Sequence, residues 1–283
     1  MYQLERSEWG DAGSVRQNCC RQGEMEYLTF PLLEETGIVR HLFTTRLGGA
    51  SRGSFSSMNM SFTRGDSREA VLENYRRVAA ILGCNPEDMT ASHQTHTTNI
   101  RIVTGKDRGK GITSPRDYDN IDGLITRERG LALVTYFADC VPLFFVDTSL
   151  HVIGLAHSGW RGTVAGMGTR MAEAMKEAFG CRPENLKTVI GPSVCRDCYE
   201  VSREVAEQFI RRFGETVVTS GRQPDKYQLD LWQANRMLLE QSGIPRENIV
   251  ITDVCTCHNS SYLYSHRVSG EKRGNLGAFL MLC

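Results

Sequence analysis

Apolar residues along this chain switch between helical and strand-like spacing from about residue 24 to the last residue. The clearest helix is predicted over 67–82, with Asp66 as its N-cap and Gly83 as the residue that ends it. Four residues at helical spacing form its apolar face: Val71, Tyr75, Val78 and Leu82. Further helices are predicted over 166–179, 202–213 and 230–241.

Short runs of aliphatic, aromatic and β-branched residues predict the strands. The runs cover 131–137, 141–146, 151–156, 186–190, 249–253, 261–265 and 277–282. Strands outnumber helices and include adjacent hairpin partners, so the pattern predicts a mixed-sheet α+β or layered α/β protein. No linker-like stretch interrupts the pattern. We therefore expect a single catalytic domain over residues 24–283, preceded by a loosely packed lead-in over residues 1–23.

Length and composition are ordinary for a globular protein that buries a core. The chain has 283 residues, of which 40% are hydrophobic and 23% charged. Its 33 basic and 33 acidic residues cancel, which argues against broad electrostatic binding to nucleic acid or to an anionic membrane but leaves a local basic pocket open. No apolar run is long enough to span a bilayer, and the first 18 residues are too polar for a signal peptide. We expect a cytoplasmic protein.

Ten cysteines are many for a chain of this length. In a reducing cytosol, cysteines serve as metal ligands, as nucleophiles or as small buried apolar residues. Cys195-x-x-Cys198 is a good half of a zinc site, whereas Cys255-x-Cys257 is a less usual half. We therefore expect these four cysteines to pack as free thiols and to hold no second metal.

Three segments combine residue types that carry chemistry: Ser92-His93-Gln94-Thr95-His96, Tyr136-Phe137-Ala138-Asp139-Cys140-Val141-Pro142-Leu143 and Gly154-Leu155-Ala156-His157-Ser158-Gly159-Trp160-Arg161-Gly162-Thr163. They place Cys140 and His157 at the ends of neighbouring predicted strands, beside turns where open sheets place ligands. A cysteine with two histidines suits zinc, and three protein ligands leave one position for water or substrate. From spacing alone, three interpretations stay open: a metal site, a Cys–His nucleophile pair without metal, and a buried cysteine beside two unrelated histidines.

From about Val39 to its end, the chain resembles the family variously known as laccase-domain or multicopper polyphenol oxidase-like proteins, YfiH-type purine nucleoside phosphorylases and peptidoglycan editing factors. The residues that carry the resemblance occur in order along the chain: Thr44-Thr45-Arg46-Leu47-Gly48-Gly49, Ser57-Met58-Asn59-Met60, Gln94-Thr95-His96, Asp122-Gly123-Leu124, Ala138-Asp139-Cys140-Val141-Pro142, His157-Ser158-Gly159-Trp160-Arg161-Gly162, Ile190-Gly191-Pro192, Tyr199-Glu200-Val201, Cys255-Thr256 and Ser265-His266-Arg267. So many matches in order make the resemblance specific.

The resemblance implies a fold, a metal and an activity. The implied fold is a single-domain, layered α/β/β/α sandwich with mixed β-sheets. The implied metal is zinc, held by His96, Cys140 and His157, with copper as the alternative. The implied reaction is phosphorolysis of adenosine, inosine and methylthioadenosine to the free base and ribose 1-phosphate. Adenosine deamination at the same site is also reported for the family. A purine nucleoside and phosphate would then be the small-molecule partners.

Further residues within the matching segments are candidates for substrate binding and proton transfer. Arg46 and Arg161 stand beside glycines, and a guanidinium in such a loop can meet a phosphate or a ribose with fixed geometry. Asn59 could hold a sugar hydroxyl. Asp139 and Asp122 are candidates for the general acid or base, or for the partner of a ligating histidine. These residues also have structural interpretations. The arginines could be solvated side chains in surface turns, and Asp139 could cap a turn.

The chain departs from the family's pattern in its last landmark. Val268 follows Arg267, where the family often has a second arginine, and Asn275 follows Gly274, where an arginine is common. We therefore expect a weaker anion-binding role for this tail, although Arg273 could substitute.

Three other classes of function stay open. One is a hydrolase that edits a peptidoglycan precursor through Cys140 and His157. Another is a copper-dependent polyphenol oxidase, although seven histidines are few for a multicopper centre. The third is a non-enzymatic nucleotide- or metal-binding module.

Overall fold

The computed structural model describes residues 4–5 and 17–283. The strands are β1 (Asn18–Gln22), β2 (Met25–Thr29), β3 (Val39–Thr44), β4 (Met89–Ala91), β5 (Ile100–Ile102), β6 (Gly123–Thr126), β7 (Ala132–Phe137), β8 (Val141–Asp147), β9 (Val152–Ser158), β10 (Leu186–Ile190), β11 (Glu200–Ser202), β12 (Val218–Ser220), β13 (Lys226–Leu229), β14 (Ile249–Ile251) and β15 (Leu276–Leu282). The α-helices are α1 (Pro31–Glu34), α2 (Arg68–Leu82), α3 (Trp160–Ala165), α4 (Met167–Phe179), α5 (Arg203–Phe213), α6 (Leu231–Gln241) and α7 (His266–Ser269). Most of the expected lead-in lies outside the described residues, but its last part forms β1, which pairs with β2.

Two six-stranded mixed sheets dominate the fold, and a three-stranded sheet accompanies them. The first sheet has the strand order β1-β2-β3-β15-β7-β4, and the second has the order β14-β10-β8-β9-β6-β5. The small sheet has the order β11-β13-β12. Three of the neighbouring pairs are parallel, β4 with β7, β5 with β6 and β10 with β14, and the other pairs are antiparallel.

Three clusters of buried side chains separate four layers. Helix α2 packs against the outer face of the first sheet, where Tyr75 meets Phe279 edge to face. A second cluster, which includes Phe137 of β7 and Leu155 of β9, lies between the two large sheets. Helices α4, α5 and α6 cover the outer face of the second sheet through residues such as Met171. The order of layers is α/β/β/α, which confirms the fold that the resemblance implies.

Helix α2 ends where the sequence predicts and begins one residue later. Its C-cap, Gly83, has a φ of 69°, a left-handed conformation that glycine adopts without steric cost. Its N-cap is Ser67, whose hydroxyl accepts from the backbone N–H of Ala70, and not Asp66. The carboxylate of Asp66 accepts instead from the backbone N–H of Ser67 and from the side chain of Asn59.

One predicted strand is wrong, and one short helix was not predicted. No strand forms over 261–265, because the N–H groups of Tyr262 and Leu263 both donate to the carbonyl of Asn259 at 2.8 Å and close a turn. The predicted helix over 166–179 begins at Met167, and a further short helix, α3, precedes it. The two helices meet at Gly166, whose φ of 89° interrupts the helical path.

The chain crosses between the two large sheets at the turn that follows Phe137. Strand β7 belongs to the first sheet and β8 to the second, so residues 138–140 connect the two layers. Strands β9 and β6 lie next to β8 in the second sheet, and the loop between β4 and β5 lies above them. No helix within residues 4–5 and 17–283 has the length and apolar character that crossing a bilayer requires.

Candidate metal centre and the cavity beside it

The structure brings together the three residues that the resemblance names as metal ligands. One ligand atom each of His96, Cys140 and His157 lies within 4.8 Å of the other two. The Sγ of Cys140 is 4.0 Å from Nε2 of His96, and the two imidazole rings are 5.0 Å apart with planes at 77°. These atoms surround one point at the crossing between the sheets.

Unusual backbone conformations turn these side chains toward each other. His96 and Asp139 both have left-handed φ values, 65° and 87°, which non-glycine residues rarely adopt. At Asp139 this breaks the alternation of strand β7 just before Cys140. Gly159 lies against the same site, because a Cβ there would be 3.0 Å from Sγ of Cys140 and from Cδ2 of His96. Only a glycine lets the chain pass so close to the ligands.

Asp122 fixes the orientation of both histidines. Its fully buried carboxylate accepts from the backbone N–H groups of Thr95, His96 and Thr97 at 3.0–3.1 Å. Its Oδ1 is also 2.8 Å from Nδ1 of His157, which leaves Nε2 of that ring free to face the site. Asp122 was a candidate acid or base, but its contacts make it a positioning residue.

The electrostatics of this group favour a thiolate at Cys140. Burial alone would raise the pKa of the Cys140 thiol, but the charge of His157 and hydrogen bonds from both histidines lower it to about 6. Burial would lower the pKa of His157, whereas the neighbouring Cys140 and Asp122 raise it to about 9. Burial would also raise the pKa of Asp122, and its hydrogen bond with His157 lowers it to about 2. The thiolate is the form of cysteine that binds metal or attacks a substrate.

Asp139 is held at the edge of the same site by both of its carboxylate oxygens. One accepts from the hydroxyl of Thr256 and the other from the backbone N–H of Arg267, each at 2.6 Å. Its side chain lines the cavity described next, directly before Cys140. Asp139 is therefore a better placed candidate for proton transfer than Asp122.

A cavity of about 850 Å³ opens beside the three ligands. Its wall contains the aromatic side chains of Phe62, Tyr136 and Tyr199. Four arginines also line it: Arg64, Arg116, Arg267 and Arg273. The volume is in the range of small-molecule sites in proteins, and the wall combines flat apolar surfaces with cationic groups.

Positive charge is concentrated at one side of this cavity. The guanidinium of Arg64 donates to the carboxylate and the carbonyl of Glu271 at 2.6 and 2.8 Å. Burial and the charge of Arg64 lower the pKa of Arg273. The Nε atoms of Arg64 and Arg273 are buried and have no hydrogen-bond partner among the described residues. An anion in the cavity would offset the repulsion between these two positive charges.

Two of the predicted substrate-binding residues have structural roles outside the cavity wall. Arg46 donates from its guanidinium to the carbonyls of Ser56 and Ser260 and so ties two loops together. Asn59 is fully buried, and its amide donates to the carboxylate of Asp66 at 2.9 Å. Their predicted contacts with phosphate and ribose do not fit these positions, because the polar atoms already have partners in the protein.

Arg161 does not face the cavity either. It is exposed on α3, with its guanidinium stacked 4.2 Å from the ring centre of Trp160. The cationic groups that do face the cavity include Arg273, which the sequence offered as a substitute in the anion-binding tail, and Arg64, which the sequence did not single out. No local motif could have identified them as a pair, because they lie some 200 residues apart and meet only through the pairing of β15 with the first sheet.

Gln94 has a role that its motif could have suggested. Its side-chain amide donates to the carbonyl of Tyr136 at 2.8 Å and accepts from the N–H of the same residue at 2.7 Å. This double contact fixes the loop that carries His96 to the end of strand β7. Gln94 thus helps to set the distance between His96 and Cys140.

Comparison with known proteins identifies related chains over nearly the whole length. The family described as "Multi-copper polyphenol oxidoreductase laccase" matches residues 40–283. The protein named "Purine nucleoside phosphorylase YlmD" of Bacillus subtilis is 36% identical over 244 residues, which cover 84% of this chain and 86% of that protein. A protein named "Adenosine deaminase RL5", from an unknown prokaryotic organism, is 31% identical over 252 residues, or 87% of this chain and 94% of that protein.

A solved structure has the same fold. The crystal structure of YlmD from Geobacillus stearothermophilus superimposes with a TM-score of 0.85 at 32% sequence identity. The match covers 93% of this chain and 98% of that structure. The arrangement of layers is therefore shared over almost the entire molecule.

Proposed function

The chain belongs to the multi-copper polyphenol oxidoreductase laccase family, and we propose that it is an enzyme that splits purine nucleosides with phosphate. Relatives named purine nucleoside phosphorylase support the substrate class. One observation in the structure carries the proposal: a single cavity has a Cys/His₂ ligand set on one wall and several arginine side chains on another.

We propose zinc as the metal at the first wall. His96, Cys140 and His157 offer two imidazole nitrogens and one thiolate, a donor set that zinc accepts in catalytic sites. Bonds of about 2.0–2.3 Å in a tetrahedral site put ligand atoms roughly 3.4–3.8 Å apart, so the group needs to contract by only about 1 Å. A zinc ion held there would supply a Lewis acid beside the substrate.

Arg64 and Arg273 are the proposed phosphate-binding residues. Both residues line the cavity, and a guanidinium matches the geometry of phosphate oxygens. Arg267 adds a third positive charge, with its guanidinium stacked 5.0 Å from the ring centre of Tyr199. These residues replace Arg46 and Arg161 in the role that the sequence predicts.

The proposed reaction needs a nucleophile, a leaving base and a proton. An oxygen of phosphate forms a bond to C1′ of the ribose while the bond from C1′ to the purine nitrogen breaks. The bonding electron pair leaves with the base, and the products are ribose 1-phosphate and a purine that takes up a proton. Asp139 is our candidate for exchanging that proton, because it lies beside Cys140 and is held there by Thr256 and Arg267.

Product identification tests this proposal. Purified protein of known metal content is incubated with adenosine, with and without phosphate, and the products are separated by chromatography. We expect adenine and ribose 1-phosphate only when phosphate is present. The Cys140→Ala variant should lose the metal held between His96 and His157 and, with it, the turnover. Base release that is equally fast without phosphate, with free ribose as the second product, would contradict the proposal and indicate a hydrolase.

A second candidate activity is the deamination of adenosine. The relative named adenosine deaminase supports it, and the same ligand set is suited to it. Inosine as the only product would assign the cavity to deamination and remove the phosphate-binding role of the arginines. Turnover that persists in protein with no bound metal would instead support a thiol hydrolase that uses Cys140 and a histidine.

A further inference from the structure

A second group of metal-ligating side chains lies outside the candidate metal centre. It consists of Cys195, Cys198, Cys255 and His258, and one ligand atom of each lies within 4.8 Å of all the others. The sequence led us to expect packed thiols here, because Cys255-x-Cys257 is an unusual half of a zinc site. In the structure the fourth member of the group is His258 and not Cys257. The two halves of the site are therefore Cys195-x-x-Cys198 and Cys255-x-x-His258.

The sheet topology explains why the two halves meet. Strands β10 and β14 are parallel neighbours, and each half follows the carboxyl end of one of them. Beyond the strands the two segments stay paired: Ser193 forms an isolated bridge with Cys255, and the N–H of Thr256 donates to the carbonyl of Ser193 at 3.1 Å. The backbone N–H of Cys195 donates to Sγ of Cys255 at 3.4 Å. The meeting of the halves is therefore fixed by the backbone.

Both halves direct backbone N–H groups at their first sulfur. The N–H of Cys198 contacts the sulfur of Cys195, and the N–H of His258 contacts the sulfur of Cys255, at the same spacing of three residues. The two halves therefore place a backbone donor beside the first sulfur of each in the same way.

We propose that this group of four side chains holds a structural zinc ion, with three thiolates and Nδ1 of His258 as ligands. Cys195 and Cys255 are almost fully buried, Cys198 is half-buried, and His258 covers the group from the surface. The Nδ1 of His258 lies 4.0 Å from Sγ of Cys195, close to the separation in a tetrahedral site. Four protein ligands leave no open position, so the site is structural and not catalytic.

Cys257 is the alternative fourth ligand, because its thiol also contacts the thiols of Cys198 and Cys255. A further contact ties it to the neighbouring helix. Its sulfur lies 3.3 Å from the hydroxyl of Ser265, the residue that caps helix α7. It does not share the common 4.8 Å separation of the other four ligand atoms. Cys257 thus stays a thiol beside the site.

The proposed ion would support one side of the cavity. Thr256 lies inside the Cys-x-x-His half, and its hydroxyl holds the carboxylate of Asp139 at 2.6 Å. Tyr199 directly follows Cys198 and lines the cavity. Loss of the ion would loosen both segments. The positions of Asp139 and Tyr199 in the cavity would then be less well fixed, although the ion itself lies outside the cavity.

Metal analysis of variants tests this inference independently of the proposed enzyme activity. In a Cys140→Ala/His96→Ala background, which removes the other ligand set, protein purified without chelators should still contain one equivalent of zinc. Adding His258→Ala or Cys198→Ser should remove that equivalent. The matched controls are His151→Ala, a half-buried histidine outside both sites, and Cys84→Ser, another half-buried thiol, and both should keep it. Cys257→Ser should also keep it.

A second measurement avoids the risk that a variant fails to fold. Zinc in the unmodified chain is exchanged for Co²⁺, and the absorption bands of tetrahedral cobalt bound to several thiolates are recorded. Such bands should persist in Cys140→Ala/His96→Ala. Absence of zinc and of these bands in that background would overturn the inference. A mass lower by two hydrogens, with fewer titratable thiols, would also overturn it and identify a disulfide.

Discussion

Asp122 is the single residue on which the geometry of the candidate metal centre depends most. Its carboxylate joins the turn that carries His96 to the ring of His157. Asparagine has the same shape, but its NH₂ group replaces the oxygen that accepts from the N–H groups of Thr95 and Thr97, so Asp122→Asn cannot keep the whole turn in place. We expect zinc to bind roughly 10- to 100-fold more weakly in this variant. Competition with a chromogenic chelator measures the loss, and Asp119→Asn, an exposed acid nearby, is the control. An unchanged affinity for zinc in Asp122→Asn would show that the orientation of the two histidines does not depend on Asp122.

His41 gives a separate prediction for pH. Its imidazole is buried in the core and accepts the N–H of Phe30 at 2.8 Å, and burial lowers its pKa to about 3. The unfolded chain takes up a proton near pH 6.5, whereas the folded chain does so only near pH 3. The unfolded state therefore binds more protons between these values, and stability falls as pH falls. At pH 5 the loss is about 2 kcal/mol relative to neutral pH.

Urea unfolding at pH 7.5 and pH 5 measures this contribution. His41→Gln should lose about 2 kcal/mol less than the unmodified chain on acidification, because glutamine does not titrate. His151→Gln, at a half-buried site outside the core, should behave like the unmodified chain. Any loss of bound metal at low pH is common to all three proteins and cancels in the comparison. Equal pH dependence in His41→Gln and the unmodified chain would contradict the assignment.

At the scale of elements, helix α3 is important because it begins against the metal ligands. Gly159 caps it with an extended backbone that alanine could adopt, so only the added Cβ changes in Gly159→Ala. That Cβ would press on Cys140 and His96 at 3.0 Å. Overpacking of this kind costs about 1–3 kcal/mol. If the ligands move to relieve it, zinc affinity falls roughly 5- to 150-fold.

Gly162 is the matched control within the same helix. A Cβ there would meet its nearest atoms at 3.5 Å or more, and alanine is a better helix former than glycine. Gly162→Ala should therefore keep zinc and melt at an equal or higher temperature. Equal zinc affinities in the two variants would show that the ligands do not depend on the contact with Gly159.

The elements were predictable where local signals decide the structure. The periodicity and the glycine cap gave the extent of α2 to within a residue, and the run of buried residues gave β10 as Leu186–Ile190. The strand predicted over 261–265 failed because alternating large side chains also suit a buried turn. Short α3 was missed because its glycines indicate a loop. The Cys-x-x-His half was missed because only the pairing beyond β10 and β14 distinguishes His258 from Cys257 as a partner.

At the scale of the whole molecule, the cavity depends on residues that no local pattern connects. The ligands His96, Cys140 and His157 were identifiable because each belongs to a segment of the family resemblance. Arg64 and Arg273 come from opposite ends of the chain and meet through the first sheet. The sequence instead pointed to Arg46 and Arg161, whose surroundings resemble anion-binding loops, but their guanidiniums lie outside the cavity wall.

The arginine assignment predicts a selective kinetic defect. A charge-assisted contact is commonly worth about 1.5–3 kcal/mol, so Arg64→Ala or Arg273→Ala should raise the KM for phosphate roughly 10- to 150-fold. Zinc content should stay unchanged, and lysine at either position should restore part of the loss. Arg170→Ala, an exposed arginine on α4, is the control. If Arg46→Ala raised the KM for phosphate more than Arg64→Ala or Arg273→Ala, the assignment would be wrong. Arg46 would then be the phosphate-binding residue, as the sequence predicts.

The central claim is that phosphate, and not water, attacks C1′ of the nucleoside in this cavity. The most direct measurement is the reaction of adenosine with unlabelled phosphate in ¹⁸O-labelled water, followed by mass spectrometry of the sugar product. The account predicts ribose 1-phosphate without label at C1′, because the bridging oxygen comes from phosphate. Free ribose as the first product, with no ribose 1-phosphate formed before it, would contradict the account, because attack by water leaves a hydroxyl and no phosphate at C1′.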